Sequence, residues 1–83
     1  MIHAIEDYNR IQDPEGLIPE DEPVFLIRGQ DIAAPVAIHA WANAAEALGA
    51  SPEIVRLARR HATMIISYQK RTGEHKVPDL PEG

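Results

Sequence analysis

The sequence predicts a mostly α protein. It has an N-terminal arm over 1–22, one short strand over 23–29 and a two-helix hairpin over 34–49 and 51–72. Three observations predict this. Ser51-Pro52-Glu53 combines an N-cap serine, a first-turn proline and a first-turn acid, which together start a helix. Gly49 and Gly73 follow apolar-periodic segments where a helix needs a C-terminal glycine. Val24–Ile27 is a short apolar run rich in β-branched and aromatic residues, bounded by Pro23 and Gly29.

The chain has 83 residues and no cysteine. That length allows one domain, expected over 1–73, with a thin core and no disulfide to staple it. Self-association is the remaining remedy, so a homodimer or larger oligomer is expected. The N-terminus, MIHAIEDYNR, has no basic segment followed by a long apolar run, which is not the pattern of a signal peptide. No apolar stretch reaches the ~20 residues a membrane span requires. A soluble, cytoplasmic protein without membrane contact is the expectation.

Taken in order, Ile5–Ile11 could form a short helical turn. Asp13-Pro14-Glu15-Gly16 has the residues of a β-turn. Ile2, Ile5, Tyr8, Ile11, Leu17 and Ile18 are too many apolar anchors for a free tail, so the arm is expected to lie across the helices. Val24–Ile27 reads as a buried strand, although a short helix capped by Asp21 fits the same residues. One strand has no evident partner in the chain. The same strand of a second copy would pair with it, or Leu17–Ile18 could. Asp31 suits an N-cap or an Asx-turn, and Pro35 suits a first helical turn.

In the first helix Val36, Ile38, Trp41, Ala45 and Leu48 are expected toward a core, with His39, Asn43 and Glu46 opposite. Ala37, Ala40, Ala44 and Ala47 form a small-residue stripe that would join the second helix in the interface between copies. The second helix is expected to bury Ile54, Leu57, Ala58, His61, Ile65 and Tyr68, with Val55, Ala62 and Ile66 widening that face. Arg56, Arg60, Thr63, Ser67 and Lys70 make a polar stripe. The segment 74–83, with two prolines and little apolar material, reads as a flexible tail.

The net charge is −5, and it is divided. Residues 1–53 hold ten acids and two bases, and residues 54–83 hold three acids and six bases. An acidic total argues against general nucleic-acid binding, which depends on phosphate neutralisation. The basic second half could hold a small anion or pair with the acidic arm.

Catalytic motifs are missing. His3, His39, His61 and His75 contain no i,i+4 pair and no HExxH, so no metal is expected. Ser51 is explained by capping and Ser67 by a helix surface, and neither lies in a Gly-x-Ser-x-Gly turn. The five glycines are dispersed and form no phosphate loop. Glu20-Asp21-Glu22 reads as a solvated acidic run. The chain is therefore read as a non-enzyme without a cofactor. Binding has more support. Arg28, Gln30 and Asp31 gather a guanidinium, an amide and a carboxylate at a strand end. Trp41 or Tyr68 could stack on a base, and Arg59 or Arg60 could hold phosphate. Equally, Arg28 could pair with Asp31, and Trp41 could simply be the largest core residue.

The run PVFLIRGQD, followed by an alanine-rich helix containing HAWA, resembles small bacteriophage and prophage proteins over about residues 17–45. The resemblance implies a viral counter-defence protein working in the host cytoplasm. On it, and on the residues above, the expected function is an oligomeric sponge that sequesters an anionic nucleotide signal without turnover. The alternative is a protein–protein inhibitor or accessory module that presents its acidic arm to a basic partner.

Overall fold

A computed structural model describes residues 1–4 and 13–79. The helical turn expected over Ile5–Ile11 lies outside the described residues, as does the end of the tail, 80–83. The chain divides into two compact units, one within Met1–Ile27 and the other Arg28–Pro78.

The first unit carries a two-stranded parallel sheet. Strand β1 is Ile2–His3 and strand β2 is Pro23–Val24. Ile2 lies opposite Pro23 and His3 opposite Val24. The Ile2 N–H donates to the Glu22 carbonyl at 2.7 Å, and the Ala4 N–H donates to the Val24 carbonyl at 3.3 Å. Two expectations are corrected here. The strand does not run over 23–29, and its partner is Ile2–His3 of its own chain, neither the same strand of a second copy nor Leu17–Ile18. The reason is the length of that partner: β1 offers two residues, so the ladder ends at Val24 and Phe25 is left exposed. The β-turn at Asp13 forms as its residues predict. The Gly16 N–H donates to the Asp13 carbonyl at 3.0 Å, and the Asp13 carboxylate accepts from the Leu17 and Ile18 amides.

The second unit is the hairpin of α1, Ala34–Ala47, and α2, Pro52–Thr72. Asp31 resolves as an Asx-turn, its Oδ1 accepting from the Ala33 N–H at 2.8 Å. Helix α1 therefore begins without a side-chain cap, but with Pro35 in its first turn. Its end is a Schellman motif. The Ala50 N–H donates to the Ala45 carbonyl, the Gly49 N–H donates to the Glu46 carbonyl, and Gly49 sits at φ 90°. Gly49→Ala forces a Cβ into this left-handed conformation and is expected to cost about 1–2 kcal/mol, read as a lower thermal midpoint. Ser51 caps α2 by accepting from the Ile54 N–H, and Gly73 ends it in the left-handed conformation.

The core between the helices is built from small residues. Ala34, Ala42, Val55, Ala62 and Ile65 are buried, and no large side chain among the described residues is fully buried. The buried line of α2 runs Val55, Ala58, Ala62, Ile65, Ile66 and Gln69, with Ala58, Ile66 and Gln69 half-buried. The line of α1 runs Ala34, Ile38, Ala42 and Ala45. The expected core face of α1 is thus rotated: Val36, Trp41 and Leu48 are 74 %, 53 % and 88 % exposed. On α2 the expected core residues Ile54, Leu57, His61 and Tyr68 are also exposed. Two helices approach closely where alanines meet, and bulky side chains at those positions would hold them apart.

Residue Lys76 ties the tail back. Its N–H donates to the Gln30 carbonyl at 2.7 Å, and its carbonyl accepts from the Ile32 N–H at 2.9 Å. This bridge beside Asp31 belongs to a stretch read from sequence as flexible tail. Both hydrogen bonds use the Lys76 backbone, so no side-chain pattern announces them.

Candidate functional site

The segment Arg28–Asp31 turns on itself, with the Asp31 N–H donating to the Arg28 carbonyl at 3.0 Å. Gln69 on α2 fastens it from the side. The Gln69 Nε2 donates to the Gly29 carbonyl at 3.0 Å and to the Asp31 carbonyl at 2.9 Å. One amide thus reaches two backbone acceptors of the connector, of which the Asp31 carbonyl also accepts from the Ala34 N–H at 3.0 Å. With the Lys76 bridge on its other backbone groups, the connector is held along α2.

A groove of about 300 Å³ opens beside this connector, lined by Arg28, Gly29, Gln30, His61, Met64, Ile65 and Tyr68. That volume is at the low end of small-molecule sites. The floor is apolar, from Met64, Ile65 and the Tyr68 ring. Arg28 and His61 supply charge or hydrogen-bond donors, and Gln30 supplies an amide. Gly29 passes close to the ring, since a Cβ added there would stand 3.6 Å from Tyr68 Cδ1. A second groove, about 470 Å³ and also open, shares Met64 and Tyr68 and is otherwise lined by Arg60, Thr63, Ser67 and Arg71. The Arg71 guanidinium lies 5.8 Å from the Tyr68 ring centroid, within cation–π range.

Of the residues nominated from sequence, Arg28, Gln30 and Tyr68 meet in the first groove, and Arg60 lies in the second. Trp41, Asp31 and Arg59 line neither. The Asp31 carboxylate is engaged by Ala33. Arg59 reaches across the hairpin instead, to Glu46 at 3.3 Å and to Asn43 Oδ1 at 3.1 Å. That is the only ion pair among the described residues, and at this exposure it contributes about 0–1 kcal/mol. Sequence reasoning missed Met64 and Ile65 as groove floor and Gln69 as the fastener. His61 falls on the apolar side of α2, and its spacing of three from Met64, four from Ile65 and seven from Tyr68 is the signal that assigns it to the groove.

Among the described residues no three His, Asp or Glu side chains gather as a metal site would require. His3 Nδ1 is buried without a hydrogen-bond partner among them. Among the described residues no helix is long and apolar enough to cross a membrane. Glu15, Glu20, Asp21 and Glu22 are exposed and make no ion pair among the described residues. No family model, no curated protein and no solved structure matches this chain.

Proposed function

We propose that this chain is a non-catalytic binding protein, a sponge of the phage type, that captures a small anionic nucleotide-like ligand in the groove beside Arg28. The single observation that carries the reading is the grouping of Arg28, Gln30, His61 and Tyr68 around an apolar floor. The guanidinium pairs with a phosphate oxygen, the Gln30 amide reads a polar edge, and a base packs on the Met64–Tyr68 ridge. Nothing in the groove resembles a nucleophile held by a base, so capture is stoichiometric and ends without turnover.

The test is native mass spectrometry of the purified protein, followed by titration of nucleoside phosphates and cyclic nucleotides into Arg28→Ala. Loss of a charge-assisted hydrogen bond is expected to weaken binding by roughly 10- to 100-fold, with helical circular dichroism intact. Wild-type affinity in a folded Arg28→Ala protein refutes the site.

A second reading has its own observation. The acids Glu20, Asp21 and Glu22 stand exposed together ahead of β2. An exposed acidic run that makes no ion pair among the described residues suits a basic protein partner, for which electrostatic complementarity speeds encounter. Charge reversal at these three positions would abolish capture of such a partner and leave nucleotide binding unchanged.

A further inference from the structure

We infer that the hairpin dimerises with a second copy of this chain through the apolar side of α1 and α2. The Arg59 contacts to Glu46 and Asn43 mark one side of the hairpin as polar. Each residue turns a helix by roughly 100°. From the buried line of α1, Glu46 and Asn43 lie to that polar side, and Trp41 and Leu48 lie to the other. From the buried line of α2, Arg59 lies to the polar side, and Ile54, His61, Tyr68 and Leu57 lie to the other, with Met64 farthest round. In antiparallel helices these two other sides coincide. One side of the hairpin is therefore apolar along its length, and Trp41, Leu48, Ile54, Leu57, Met64 and Tyr68 are all exposed on it.

The exposed parts of those six side chains offer roughly 600 Å² of mostly apolar surface, close to the ~800 Å² per partner of a standard stable interface. A lone folded chain seldom shows a contiguous apolar patch beyond about 300–600 Å². The spacing on α2 is also that of a helix–helix seam, since Ile54, Leu57, His61, Met64 and Tyr68 alternate steps of three and four.

Charge selects a second copy, set antiparallel, as the occupant. Helix α2 has Glu53 in its first turn and Lys70 and Arg71 in its last. A two-fold axis between His61 and Met64 places the Glu53 end of one α2 against the Arg71 end of the other, twice per dimer. The same axis sets Leu57 of one copy against Tyr68 of the other. Two hairpins packed this way form a four-helix bundle and supply the bulky core that the alanine-lined hairpin lacks. The inference does not depend on the proposed ligand, although His61, Met64 and Tyr68 belong to both surfaces and a second copy would wall the open groove.

Sedimentation equilibrium of the full chain tests it. The expected result is a dimer whose dissociation constant rises at least ~100-fold in Leu57→Glu, because the substitution buries a charge twice. Leu57 is half-exposed, so helical circular dichroism should persist; Met64→Glu serves if that variant fails to fold. Glu53→Arg should weaken the dimer ~10-fold, and adding Arg71→Glu should restore it. A monomer up to about 0.5 mM, well above the micromolar range of a working interface, overturns the inference. So does a dimer that folded Leu57→Glu and Met64→Glu leave unchanged, which would assign this face to the chain's own arm or to another partner. Failure of the charge swap to restore association overturns the antiparallel pairing.

Discussion

Ala42→Leu is expected to destabilise the hairpin by about 1–3 kcal/mol, while Val36→Thr changes stability by less than about 0.5 kcal/mol. The contrast runs against hydropathy, which would rank the valine as the core residue. Ala42 has no exposed surface, and it lies on the line of α1 that meets Val55, Ala62 and Ile65. Extra methylenes there have no cavity to fill and must push the helices apart, which also loosens Ala34 and Ala62. Val36 is 74 % exposed and points away from that line. For a chain of this size, 1 kcal/mol moves the thermal midpoint by about 4–8 °C, so melting curves separate the two variants. The opposite ranking would mean that α1 is rotated about its axis.

Gln69→Glu is expected to be more damaging than Gln69→Leu. The leucine removes one donor group, leaving the Gly29 carbonyl without it and the Asp31 carbonyl with the Ala34 N–H alone, at about 0.5–1.5 kcal/mol for these half-buried acceptors. The glutamate keeps the shape of the side chain but turns an acceptor toward two acceptors, so the connector must move off α2. The groove residues Arg28 and Gln30 move with it, because the connector carries them. The amide NMR resonances of Gly29 and Asp31 report the displacement, and ligand affinity should fall in parallel. Equal stability of the two variants would show that Gln69 acts by packing alone.

These two residues also show what a sequence makes legible. The ends of both helices were legible because their chemistry is local: Ser51, Pro52, Gly49 and Gly73 act within a turn of where they stand. Asp13 and Asp31 are of the same kind, each bonding to amides a few residues on. Which face of α1 is buried was not legible. That choice belongs to the helix–helix approach, where alanine is favoured for what it leaves out, and Trp41 and Leu48 mislead by size. The strand was legible as an apolar run but not in extent, since the extent is set by β1, far back in the chain. Arg28 and Gln30 were legible only as neighbouring polar residues: β2 stops at Val24, and the contacts of Gln69 with Gly29 and Asp31, not a strand end, set them beside α2. Arg59 could not be told from Arg60 by composition, yet one faces Glu46 and the other a groove. Gln69 and Lys76 hold the connector through backbone groups distant in sequence, and no periodicity records that.

The Lys76 tie bears on the order in which the chain takes shape. The turn between α1 and α2 is short, so the hairpin closes early, and contacts between distant segments follow only after more chain entropy has been lost. During synthesis the N-terminal parts emerge first. Gln30 and Ile32 therefore wait for α2 and then for Lys76 before their backbone groups are satisfied. A nascent chain stalled within α2 would have both strands and the first helix in hand, yet its groove would be unfinished. The connector that lines the groove is fully tied only once Lys76 has been made.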